Sequence, residues 1–252
     1  MASLLDNDGD GCVDTPAALA AILQPRQELQ ACIAFPGTRE QTDKEQLEQE
    51  LQSAGLYAAA LVYNDDDDDP HADYGLLPSC CGPSATPTCV DTSVEEIWHA
   101  ITDVGYGQAF PETFARDFNS NSKLTLAMDE ARGGKFEETP SLSEQPSTAW
   151  FTFNEPSCDY QCQATEYIYW GVVTWVGAIA NRGEQVREEW DFLTRDELVA
   201  GDLKMTEIIR DTDSYRLPSV SPTGKYYGGN TCATVRADTS MDKIGLNTFP
   251  IK

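Results

Sequence analysis

Five consecutive aspartates, Asp65–Asp69, followed by Pro70 and then by Gly75, Pro78, Gly82, Pro83 and Pro87, divide this chain more firmly than anything else in it. Adjacent carboxylates repel one another, each proline removes a backbone donor, and glycine loses the most freedom on ordering. Residues 64–90 therefore read as a linker without regular structure. On either side the pattern is helical, which gives four parts: an N-terminal helical segment (1–63), the linker (64–90), a main helical domain (91–217) and a Gly- and Ser-rich tail (218–252). No internal repeat is visible.

Local signals place the helices. Pro16, a favoured first-turn residue, opens the alanine-rich stretch Ala17–Leu23. Thr42 to Glu45 and Thr194 to Glu197 have the capping-box spacing, opening Lys44–Ser53 and Leu198–Ile209. Thr92 or Ser93 caps Val94–Val104, with Gly105 and Gly107 expected to end it; Pro111–Phe118 and Leu124–Ala131 follow as shorter helices. Cys158–Ala180 is the longest periodic segment and the expected central helix. Leu56–Tyr63 fits a strand or a buried helical turn, and Trp150–Phe153 a short strand. The expected fold is mainly α, a disulfide-stapled helical domain with little strand.

The staples are eight cysteines (Cys12, Cys32, Cys80, Cys81, Cys89, Cys158, Cys162 and Cys232), an even number with no C-x-x-C pair. That usage suits a secreted, extracellular or periplasmic protein rather than a zinc ribbon. Cys80, Cys81 and Cys89 would tie the linker to the body. Cys158 and Cys162, adjacent turns of one expected helix, are expected to bond to separate loops. The apolar stretch Tyr167–Ala180 is too short for a comfortable membrane span. With 17 basic and 42 acidic side chains, a net charge of −25, the chain is ill suited to nucleic acid or anionic lipid. Divalent cations, and a peptide or extracellular protein, are the expected partners.

Two stretches carry metal chemistry. Asp6, Asp8, Asp10 and Asp14 take positions 1, 3, 5 and 9 of an oxygen-rich loop, with Gly11 at the turn. The segment resembles EF-hand, dockerin and thrombospondin type 3 calcium loops, which implies a structural calcium; Ala17 stands where the bidentate glutamate belongs. Asp65–Asp69 is a looser candidate without shaping glycines.

In Glu95-Glu96-Ile97-Trp98-His99, Glu95 and His99 stand at i and i+4 and project from one helix face, the spacing by which a helix grips a metal with two side chains. This resembles the H-E-x-x-H helix of zincin metallopeptidases, with Glu95 in place of the first histidine. The resemblance implies His99 as second ligand, Glu96 as general base and, as in the Glu-zincin branch, a glutamate from a later helix as third ligand. Glu166, 67 residues after His99, has the right type. Such a set would accept zinc or another divalent cation and hydrolyse peptide bonds. The plainer expectations are a capping task for Glu96, a core role for His99 and an ion pair between Glu166 and Arg132. A non-catalytic, calcium-stabilised extracellular binding protein is the alternative function. With His71 the one other histidine, and no G-x-S-x-G elbow, multi-histidine zinc sites and serine-hydrolase chemistry have little to draw on.

Overall fold

A computed structural model describes residues 5–6, 13–23, 30–34, 56–60, 92–141, 143–179 and 186–219. The linker, the Lys44–Ser53 helix, Asp8, Asp10 and the tail beyond Ser219 lie outside these residues, as do all the cysteines except Cys32, Cys158 and Cys162.

The described fold is mainly α. Helices α1 (Pro16–Leu23), α2 (Thr92–Ala100), α3 (Pro111–Phe114), α4 (Lys123–Ala131), α5 (Tyr160–Trp175), α6 (Arg195–Gly201) and α7 (Leu203–Arg210) surround one apolar core. Among the described residues, strand is limited to β1 (Gln30–Ala34) paired in parallel with β2 (Leu56–Ala60), plus an antiparallel bridge between Phe151 and Trp190. The WFTF segment thus supplies a single bridge, and the Leu56 segment is a strand.

Helix α5 is the axis of the molecule. Ala164, Tyr167 and Ile168 are wholly buried, and Tyr160, Thr165, Tyr169, Trp170 and Val172 nearly so, leaving almost no polar face. A helix apolar on most sides must be enclosed by others. Gly171 lets α7 close on it: a Cβ there would lie 2.6 Å from Met205 Sδ and 2.8 Å from its Cγ. Asp202 fixes the same junction, accepting from Tyr167 Oη at 2.6 Å and Trp150 Nε1 at 2.9 Å while capping α7 through Met205 N–H at 2.8 Å.

Three expectations need correction. Gly105 and Gly107 do not end the helix that begins at Thr92; it passes into a π-helical turn, Ile101–Tyr106, and continues through Gly107–Ala109, ending where Phe110 leaves helical geometry. Gly105 is instead a crossing point, since a Cβ there would come within 3.0 Å of Ile22 on α1. The stretch Leu198–Ile209 is two helices, because Asp202 leaves helical geometry to cap the second. Finally, Cys158 and Cys162 bond to each other, with Cα atoms 5.2 Å apart. Asp159 is the N-cap of α5, so Cys158 precedes the helix and its backbone turns back towards Cys162, a geometry denied to two cysteines inside regular helix.

Candidate metal centre

Two packed helices build the site. Helix α2 carries Glu95 and His99 one turn apart, and α5 carries Glu166 on the flank that meets α2. The packing is aromatic: Tyr169, one turn beyond Glu166, sets its ring edge against the His99 imidazole with centroids 5.5 Å apart. His99 Nε2 lies 3.3 Å from Glu166 Oε1 and 3.8 Å from Glu95 Oε1, and one ligand atom from each of the three residues falls within 4.8 Å of the others. The side chains are 8%, 14% and 23% exposed for His99, Glu166 and Glu95.

The spacing can be compared with what a cation requires. Donors held about 2.0–2.2 Å from one tetrahedral ion stand roughly 3.3–3.6 Å apart. The His99–Glu166 separation is of that size, and Glu95 needs only a small side-chain adjustment. Charge points the same way. Two carboxylates and a neutral imidazole carry −2, which a divalent cation cancels, so the donor set matches such an ion in charge.

Without a metal the site holds a proton. Burial alone would depress the His99 pKa, but the charge and hydrogen bonding of Glu166, then the charges of Glu95 and Glu96, outweigh it and raise the imidazole to about 10. Its Nδ1 is buried and has no hydrogen-bond partner among the described residues. Metal-bound histidines usually pass that N–H to an acceptor, so the ring is held here by packing against Tyr169 rather than by an outer acceptor.

The other sequence candidates are distributed as follows. Glu96 is half-buried on α2, near enough for its charge to act on His99. Glu166 does not pair with Arg132, whose guanidinium donates to the carbonyls of Phe136 and Glu138 at 3.0 and 3.4 Å. Of the calcium-loop residues, Asp6 and Asp14 are described. The Asp14 carboxylate accepts from Arg216 Nη1 at 2.7 Å, and Asp14 N–H donates to Leu5 O at 2.8 Å. Asp8 and Asp10, which would complete the loop, are outside the described residues, as are Asp65–Asp69 and His71.

A polar cluster that no motif marks lies beside the site: Asp103 in the π-turn, Arg116 after α3, and Thr165, the neighbour of Glu166. One signal was available, since Asp103 follows His99 by four residues and extends the Glu95–His99 stripe. No protein family, no curated protein and no solved structure matches the chain.

Proposed function

We propose that this protein binds one divalent cation through Glu95, His99 and Glu166, and that the bound ion serves a zincin-like, metal-dependent hydrolysis of peptide bonds. The observation that carries the first half is the convergence, from two helices, of three ligand atoms within 4.8 Å. A helix contributing i and i+4 donors and a second helix contributing a carboxylate give three protein ligands. That leaves a fourth position for water, the arrangement of catalytic rather than structural zinc. A metal in this place would polarise its water, and Glu96, adjacent in sequence to the ligand Glu95, is the base available to take the proton. One imidazole with two carboxylates is a harder donor set than the usual histidine-rich one, so manganese and cobalt should compete with zinc.

The disulfide Cys158–Cys162 is compatible with the extracellular or periplasmic setting assigned here to such an enzyme. Among the described residues, no helix is long and apolar enough to cross a membrane.

The test is metal uptake followed by activity. Protein stripped with chelator and dialysed against zinc should retain about one equivalent, a stoichiometry set by the single three-ligand site; His99→Ala should retain none. Glu96→Gln should keep metal and fold while losing cleavage of an unstructured peptide substrate, because it removes the base alone. Full retention of metal by His99→Ala would overturn the site. Undiminished cleavage by Glu96→Gln would overturn the mechanism and leave the site.

A further inference from the structure

Glu95, His99 and Asp103 follow one another at four-residue intervals, and Asp103 stands in the π-turn that continues α2. Its side chain is only 2% exposed, and Arg116 Nη1 pairs with Asp103 Oδ2 at 3.1 Å. The third member is Thr165, one residue before Glu166. Its hydroxyl donates to Asp103 (3.0 Å to Oδ1, 3.1 Å to Oδ2) and accepts from Arg116 Nη1 at 2.8 Å. The loop closes on itself, each member bonded to the other two. It joins the helix that supplies Glu95 and His99, the segment after α3, and the helix that supplies Glu166.

A buried carboxylate paired with arginine is poor value for stability alone, because stripping both charges of water offsets most of their attraction. It is good value for register: an ion pair between the π-turn and the segment after α3, with a hydroxyl of α5 bonded to both partners, tolerates little sliding, whereas an apolar contact tolerates more. Metal ligands drawn from two helices need such control, since the ligating atoms have to be held to within about 0.5 Å. The π-turn belongs to the same device. Such turns gather at functional sites, and here the Thr102 hydroxyl donates back to the carbonyls of Trp98 and His99, at 3.1 Å each, which secures the backbone of His99 itself.

We propose that Asp103, Arg116 and Thr165 are positioning residues that set the separation of His99 from Glu166 and so the geometry of the metal centre. The proposal rests on the metal-site reading above, and its test separates the two. The probe is cobalt(II), whose visible absorption reports coordination geometry. The variants are Thr165→Val, which removes the hydroxyl at constant shape, Thr165→Ser, which restores it, and Tyr160→Phe as a control. Tyr160 is also on α5, and its hydroxyl donates to Asp129 at 2.8 Å, away from the centre.

Thr165→Val should bind cobalt roughly fivefold more weakly, the loss expected when one hydrogen bond no longer holds Glu166's helix in place. Its fully loaded spectrum should change in shape, and in the metal-free protein the imidazole N–H resonance of His99 should shift. Thr165→Ser should return all three towards wild type, and Tyr160→Phe should lower the melting temperature without moving any of them. Superimposable loaded spectra for wild type and Thr165→Val would overturn the positioning role and leave the metal site standing. If wild type takes up no cobalt, the metal reading fails, and the His99 resonance alone decides whether the cluster positions the pair: a shift supports it, no shift overturns it. Should Thr165→Val fail to fold, Arg116→Gln, at the more exposed end of the cluster, carries the same comparison.

Discussion

His99 holds the chemistry of the site because two opposed effects meet on one ring. Burial opposes its charge, and three glutamates favour it more strongly, so the metal-free imidazole titrates at about 10. The consequence for stability follows from the sign of the shift. A folded pKa raised above the unfolded value of about 6.5 gives stabilisation that is complete below about 6.5 and fades as pH climbs through about 10. The stability gap between metal-free wild type and His99→Gln, measured by thermal melting, should therefore narrow over that alkaline window; a gap independent of pH would contradict the ion triad. A metal has to displace the same proton, so zinc affinity should rise about tenfold per pH unit across the neutral range. Asp14 shows a different situation, a carboxylate that accepts from the half-exposed Arg216 at 2.7 Å.

Among the elements, α2 and α5 decide the site. The i, i+4 pair on α2 was legible from residue types alone, because helical periodicity fixes which side chains share a face. Glu166 was legible as a carboxylate that a buried helix would need a reason to keep. Asp103 was legible only as a continuation of the Glu95–His99 spacing; its meeting with Arg116 and Thr165 was not, since that depends on how a π-turn, a loop and a helix are brought together. Misplaced helix ends have a similar origin. Gly105 resembles a helix stop in isolation and proves to be the place where α1 crosses. Cys158 resembles the first turn of α5 and proves to precede its cap, which is why it reaches Cys162. The close approach of α5 and α7 gives an element-scale prediction. Gly171→Ala would drive a methyl into Met205, which is itself wholly buried, and should cost about 1–3 kcal/mol of unfolding free energy as overpacking does. Denaturant melts would show it, and an unchanged midpoint would mean that α7 yields without strain.

At the scale of the whole molecule, the main-α class followed from helical periodicity on both sides of an acidic, proline-rich linker, and the described residues have that class. Leu5, Ala18 and Ile22 lie in the same apolar core as Trp98, Ile101 and Tyr106, so the N-terminal helix and the main helical region share one interior. The bond from Cys158 to Cys162 closes a very short loop, and chain entropy then gives it only about 2 kcal/mol. Non-reducing peptide mapping should recover both cysteines in one internally bonded peptide, and reduction should lower the melting temperature modestly; linkage of either to another cysteine would contradict the geometry. The central claim is that Glu95, His99 and Glu166 converge to hold a cation, and X-ray absorption at the zinc edge tests it most directly. Zinc-loaded protein should show only nitrogen and oxygen neighbours at about 2.0–2.2 Å, with the outer-shell signature of a single imidazole that disappears in His99→Ala. Sulfur neighbours near 2.3 Å, or an imidazole signature that survives the loss of His99, would contradict it.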